Sequence, residues 1–324
     1  MITTANPHES IAHLGEVRLI DLIGQWLGAA SPPSPEGIGD DCAILPCCDN
    51  GKQIVTTDTV SYGLHFDDSI AAEDAGAKLI KRNLSDIAAM GGTPNAAVLA
   101  LLMGPDISIG WLQHFFRGVR DTCLKHQVRL VGGDISSLAP GNFSAVLTLT
   151  GFTQTPQLRH TAKIGDHIYV TGKLGGSIRN KHYAFEPRLA EGRWIASQSE
   201  CSAMMDLTDG LAKDLQALLP ERCSAAIHLQ NIPIAQDAHI VADQSTHSPL
   251  QHAFCDGEDY ELLFTIDANA NCEALEARWA TQFPNLPLSR IGNFIPQVEQ
   301  AVFVDAKSNT ALPWSHGFEH LRQL

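Results

Sequence analysis

Apolar residues return at helical spacing over residues 15–28, GEVRLIDLIGQWLG, where Val17, Ile20, Leu22 or Ile23, and Leu27 predict an amphipathic helix. The proline-rich stretch SPPSPEG stops it. A strand-like run, QIVTTDTVS, precedes a helix predicted over 73–90, in which Ile80, Leu84, Ile87 and Ala88 form one apolar face. Asn83 and Asp86, three residues apart, share a neighbouring face of that helix. Gly91 and Gly92 end it, and AAVLALLM has the unbroken apolar character of a buried strand. A second helix over about 107–126 carries Leu112, Phe115, Val119 and Cys123. VRLV then delivers the chain into Gly132, Gly133 and Asp134, and SAVLTLTGFT is the next strand.

Around 152–165 the sequence becomes polar and proline-containing, which sets the expected boundary between a domain at 1–153 and another at 154–324. Beyond it come strands at HIYVT, AAIHL, YELLFTI and AVFVD, a helix after DLTDG with Leu211, Leu215 and Leu218, and a helix around 270–283. Strands and helices mix without a regular βαβ cadence, so the expected class is α+β rather than a doubly wound sheet.

A length of 324 residues supports about two domains on a prior of ~150 residues each. Lys and Arg number 22 against 36 Asp and Glu, a net charge of −14, which argues against a nucleic-acid surface and suits cation binding or simple solubility. No apolar run reaches the ~20 residues that span a bilayer, and no basic segment followed by an apolar core opens the chain, so a cytoplasmic location is expected. Eight cysteines without a CxxC pair indicate neither a zinc ribbon nor a disulfide framework.

Six aspartates sit among glycine, serine or threonine neighbours: Asp40 in GIGDD, Asp58 in TTDT, Asp86 in NLSD, Asp134 in GGD, and Asp206 and Asp209 in DLTDG. Singly, such residues are turn and helix-cap chemistry. Together they are hard oxygen ligands of the kind Mg²⁺ prefers, with small neighbours that let a phosphate approach the backbone. Carboxylates crowded within ~4 Å repel by roughly 1–4 kcal/mol per pair, a penalty that divalent ions remove. A GxxxxGK[ST] loop is absent, and TGKLGGS at 171–177 fits a tight turn at least as well as a phosphate loop.

In this order and spacing, GIGDDCAIL, TTDTV with His65, KRNLSDIAAMGGTP, LVGGD, DLTDGL and GEDYELLFT resemble the thiamine-monophosphate kinase family, within the aminoimidazole ribonucleotide synthetase-like ATP-binding superfamily. The similarity runs from GEVRLIDLI to GFEHL. It implies an N-terminal mixed α/β domain whose sheet pairs in a homodimer barrel, and a C-terminal α+β domain completing the nucleotide and substrate site. It implies Mg²⁺ at Asp40, Thr57, Asp58, Asp86, Asp134, Asp206 and Asp209 with Thr56 close by, ATP at Gly133, Asp134, Arg159 and Thr208, and thiamine monophosphate at His65, Glu258 and Trp314 or Phe318. An aromatic ring against a pyrimidine or a cationic thiazolium is physically sensible, and a C-terminal plug on the core is the alternative.

The implied acceptor is a phosphate monoester with a second pKa of ~6, already largely anionic at neutral pH, so no acid or base residue is expected. Asp58, Asp209 and Arg159 would act electrostatically. Rival readings are a superfamily enzyme with a different acceptor, an aspartate-nucleophile phosphatase, for which TTDTV supplies one aspartate of the usual two, and a non-enzymatic cation-binding protein. Two departures from the resemblance stand out: a short segment between Ser177 and Arg188, and Asp256 before Gly257, where a second glycine is usual.

Overall fold

The computed structural model describes residues 1–14, 16–32, 51–314 and 317. The chain separates into two compact units, Met1–Ile87 with Gly92–Gln154, and Ala88–Gly91 with Thr155–Leu324.

In the first unit α1 (Ile11–Leu14) and α2 (Glu16–Leu27) precede β1 (Lys52–Ser61), α3 (Ala72–Ala89), β2 (Thr93–Met103), α4 (Ile109–Lys125), β3 (Arg129–Ser137) and β4 (Phe143–Thr153). The strands form one sheet in the order β1-β4-β2-β3. Strand β4 is antiparallel to both neighbours, and β2 and β3 are parallel, joined through α4 as parallel neighbours require. Burial alternates residue by residue along β4, with Phe143, Ala145, Leu147 and Leu149 inward, the period of a sheet buried on one face. The stripe on α3 is as the spacing predicts: Ile80, Leu84 and Ile87 are buried.

Helices α3 and α4 approach through glycines. A Cβ on Gly76 would lie 2.1 Å from the Phe115 carbonyl oxygen, and one on Gly118 would lie 1.8 Å from that of Glu73. Phe66, Trp111, Phe115 and Phe143 pack beside this crossing, with Trp111 4.9 Å from Phe143 and 5.5 Å from Phe115 between ring centroids.

One local expectation changes. Gly132, Gly133 and Asp134 lie inside β3, where Gly133 pairs with Leu99 and Asp134 with Ala100, after a register shift at Ala97/Val98. Gly133 serves close strand approach rather than a turn, since a Cβ on it would meet the Leu99 carbonyl oxygen at 1.9 Å.

The second unit contains β5 (His167–Thr171), α5 (Lys181–Ala184), α6 (Leu189–Ala196), β6 (Cys201–Asp206), α7 (Leu211–Leu218), β7 (Cys223–Ile227), α8 (Gln236–Ala242), α9 (Pro249–Cys255), β8 (Leu262–Ile266), α10 (Cys272–Gln282), β9 (Leu288–Pro296) and β10 (Phe303–Asp305). Its sheet runs β10-β7-β9-β5-β8-β6, with β10–β7 parallel and the remaining pairs antiparallel. Leu211, Leu215 and Leu218 of α7 enter a core with Phe254, Phe294 and Phe303. Strands β6 and β9 and helices α5, α6, α8 and α9 were not foreseen from the pattern. The described residues thus form a mixed α/β molecule with two sheets.

Candidate functional site

In the first unit three of the predicted residues, Thr56, Asp58 and Asp86, gather where β1 meets α3. Thr56 and Asp58 are two apart on a strand, so they share a face, while Arg82 and Asp86 are four apart on a helix and share another. The Thr56 hydroxyl donates to the Asp86 carboxylate, and Arg82 Nη2 donates to Asp58 Oδ1 at 2.9 Å. Arg82 therefore supplies a positive partner that the aspartate pattern did not reveal. Thr57 faces the other way, as alternation requires, and its hydroxyl donates to the Leu147 carbonyl at 3.0 Å.

Asp134 is exposed on β3 beside Gly133 and accepts from the Ser136 hydroxyl at 3.1 Å. His65 accepts at Nδ1 from the Ser61 amide at 3.0 Å, while its carbonyl accepts from the buried Lys78 ammonium at 2.8 Å. Asp40 and Phe318 lie outside the described residues. Of the five described aspartates, Asp58 and Asp134 are within strands, Asp86 is within a helix and Asp206 ends β6; Asp209 alone occupies a bend.

In the second unit the chain leaves β6 at buried Asp206 and turns through Thr208 and Asp209 into α7. Asp214, one turn into α7, accepts from the Thr208 and Asp209 amides at 2.9 and 3.0 Å. Burial pushes its carboxyl up to about 7. Lys213 Nζ reaches Asp209 Oδ2 at 2.6 Å. The GEDYE segment is zipped to this turn: Glu258 N donates to Thr208 O at 2.7 Å, Tyr260 N to Leu207 O at 2.8 Å, and Leu207 N to Glu261 O at 2.8 Å.

Arg159 is exposed in a short 3₁₀ turn next to Leu158, whose carbonyl accepts from Met204 N two residues before Asp206. Trp314 packs on Phe254 at 5.1 Å between ring centroids, and the backbone at Gly317 lies so close that a Cβ there would be 2.1 Å from Asp209 O. Gly317 thus lies against the Asp209 turn.

The glycine-rich TGKLGGS stretch has its amides taken by carboxylates of its own unit. Gly175 N donates to both oxygens of Asp259 at 3.0 and 3.2 Å, and Gly176 N to Asp256 at 2.7 Å. Among the described residues no three His, Cys, Asp or Glu side chains group as a metal site. A cavity of about 430 Å³ lined by His167, His228, Asn231, Arg290 and Asn293 contains none of the predicted residues.

Residues 39–153 match the family model "AIR synthase related protein, N-terminal domain". The thiamine-monophosphate kinase of Rhodopirellula baltica is 33% identical over 273 residues, covering 82% of this chain and 84% of that protein. The chain belongs to the thiamine-monophosphate kinase family. A crystal structure of the thiamine-monophosphate kinase from Stenotrophomonas maltophilia superposes with a TM-score of 0.71 at 28% identity, covering 91% of this chain and 96% of that one. The structure of AaThiL complexed with AMPPCP and TMP has a TM-score of 0.66 at 28% identity, covering 94% of this chain and 97% of that one.

Within this family member, pattern reasoning missed Arg82, Lys213 and Asp214, the residues that neutralise or hold the named aspartates. A signal for the last two exists in the sequence: Lys213 and Asp214 fall four and five residues after Asp209, at the start of the helix predicted after DLTDG. No described helix is long and apolar enough to cross a membrane.

Proposed function

We propose that the chain transfers the γ-phosphoryl group of ATP to thiamine monophosphate, giving ADP and thiamine diphosphate. The observation that carries this reading is membership, over most of the chain, of a family named for that activity. Likeness to a chain complexed with AMPPCP and TMP supports the two substrates. ATP as donor makes the cytoplasm the expected setting.

Carboxylate and hydroxyl oxygens without a soft ligand among them suit Mg²⁺. Asp58, Asp86, Asp134 and Thr56 of the first unit, with Asp40, are candidate ligands, as separately are Asp206 and Asp209 of the second; Thr57, on the opposite face of β1, is not among them. When bound, Mg²⁺ supplies bridging and charge neutralisation at phosphate oxygens. Gly133, Asp134, Arg159 and Thr208 would meet the nucleotide, Arg159 through its planar fork. His65, Glu258, Trp314 and Phe318 would meet the acceptor. Asp214 fixes the backbone of the Thr208–Asp209 bend, so their side chains are oriented before substrate arrives. No side chain need take a proton, because the acceptor phosphate is already largely anionic with a second pKa of ~6.

Residues 1–153 would carry the ATP and Mg²⁺ ligands and pair with a twofold mate in a homodimer barrel, and residues 154–324 would complete the nucleotide and acceptor groups. Sedimentation of a monomer at assay concentration would remove the dimer. The activity is tested with purified chain, ATP and Mg²⁺ against thiamine monophosphate, thiamine and aminoimidazole-pathway intermediates. Equal amounts of ADP and thiamine diphosphate, formed with the monophosphate alone, are expected. ADP formed with another acceptor instead would overturn the assignment, and Mg²⁺ binding without turnover would favour a cation-binding protein.

A further inference from the structure

Four side chains in the short stretch from Lys181 to Arg188 hold the Glu258–Glu261 segment. His182 Nδ1 lies 3.7 Å from Glu258 Oε2. Lys181 Nζ lies 2.9 Å from Glu261 Oε1 and 3.7 Å from Asp259 Oδ1. The Phe185 ring stacks on Tyr260 at 3.8 Å between centroids and 14° between planes. Arg188 forks onto Glu261, Nε to one oxygen and Nη2 to the other, both at 2.7 Å.

The segment they hold is strained, and its Glu261 is held as a carboxylate. Glu258 and Tyr260 have φ of +53° and +49°, a left-handed conformation that side-chain-bearing residues adopt only when their surroundings over-determine it. Burial alone would push Glu261 up, yet Lys181 and Arg188 hold it below the ordinary carboxylate value. The TGKLGGS stretch grips the same segment from its other end: Thr171 donates to Glu261 at 2.8 Å, Gly175 N to Asp259, Gly176 N to Asp256, and Ser177 to Gly257 O at 2.6 Å. Gly172 leaves room for this, since a Cβ there would lie 2.1 Å from Glu261 Oε1. The result converges on one carboxylate: Tyr260, its ring clamped by Phe185, donates its hydroxyl to Glu258 Oε1 at 3.1 Å, while His182 faces Oε2.

We infer that Lys181, His182, Phe185 and Arg188 are positioning residues for acceptor recognition, holding the Glu258–Glu261 backbone in its strained form so that the Glu258 carboxylate is presented in one orientation to a cationic, amine-bearing heterocycle. The inference rests on the reading of Glu258 as an acceptor contact given under Proposed function. None of the four touches the acceptor in this role; each acts through Glu258. Their removal should therefore weaken acceptor binding while leaving the nucleotide side of the reaction alone, which a general loss of structure would not do.

The test uses the full chain and the variants Arg188→Met, Arg188→Lys, His182→Gln and Glu258→Gln. Thermal unfolding is measured beside kcat and the KM values for thiamine monophosphate and for ATP. Arg188→Met should raise the KM for thiamine monophosphate about ten-fold or more with the ATP KM within about two-fold, and Arg188→Lys should recover part of the loss. In the Arg188→Met/Glu258→Gln double variant the acceptor KM should match that of Glu258→Gln alone within about two-fold, because both changes act on one contact. The positioning role is overturned if Glu258→Gln raises the acceptor KM while folded Arg188→Met and His182→Gln leave it unchanged, or if the two effects multiply in the double variant. Should Arg188→Met fail to fold, His182→Gln, which removes no charge pair from Glu261, carries the same comparison. An unchanged acceptor KM in Glu258→Gln overturns the reading of Glu258 itself, an outcome distinct from both.

Discussion

Arg82 donates to Asp58 at 2.9 Å, and both side chains are more than three-quarters withdrawn from solvent. A guanidinium here neutralises a carboxylate that the proposed reaction assigns to Mg²⁺, so the cation and Arg82 draw on the same charge. Arg82→Met should leave Asp58 without that partner and lower stability in EDTA by roughly 1–3 kcal/mol, the usual scale for a lost charged hydrogen bond. Added Mg²⁺ should then raise the melting temperature of the variant more than that of the parent. A titration of Mg²⁺ by differential scanning fluorimetry reads both effects; equal Mg²⁺-induced shifts in the two proteins would show that Asp58 does not bind the metal.

Asp58→Asn keeps the shape of the side chain and a hydrogen-bond acceptor for Arg82 but removes the negative charge. The fold should persist, with a far-UV spectrum like that of the parent, while kcat falls about 100-fold or more, as expected when charge stabilisation is withdrawn from a phosphoryl transfer. Near-normal turnover would take Asp58 out of the reaction.

Much of the first unit was legible because its elements are long and periodic: α3 carries its apolar stripe at helical spacing, and β4 alternates at every step. The second unit hid β6 and β9. Cys201–Asp206, CSAMMD, lacks β-branched and aromatic residues, and Leu288–Pro296 holds a glycine and a proline, so both are strands by sheet pairing rather than by local preference. The aspartates were found by their small neighbours, yet among the five described ones only Asp209 lies in a turn. Asp134 has a small neighbour, Gly133, because β3 closely approaches β2 there. The partners of these residues were invisible for another reason: Arg82–Asp58 and Arg188–Glu261 join positions 24 and 73 residues apart, and nothing in a single sequence couples them.

Gly118 lies where α4 meets α3, and a Cβ there would sit 1.8 Å from the Glu73 carbonyl oxygen. Backbone cannot yield as a flexible side chain can, so the helices must part. Gly118→Ala should destabilise the chain by about 1–3 kcal/mol or more, despite the better helix propensity of alanine. Chemical unfolding monitored by tryptophan fluorescence measures it, and a neutral effect would mean that the crossing relaxes freely.

Burial pushes both Asp214 and Asp259 up to about 7 from an ordinary 3.8. For Asp259 burial outweighs the opposing pull of Lys181, whose ammonium sits at 3.7 Å, and of the Gly175 amide. Between pH 4 and 7 each folded carboxyl keeps a proton that the unfolded chain has released, so their contribution to stability falls as pH rises through this window. Glu261, held low, works in the opposite direction and only in more acidic solution, where protonation would dissolve its pairs with Arg188 and Lys181. In metal-free buffer the melting temperature attributable to these groups should therefore decline from pH 5 to pH 7.5. Asp259→Asn, neutral at every pH, should flatten about half of that decline, because one of two similar carboxyls has been removed. Melting curves of parent and variant at half-unit pH intervals provide the measurement. A slope unchanged by the substitution would show that Asp259 stays ionised throughout, held by the Gly175 amide and Lys181 against the cost of burial.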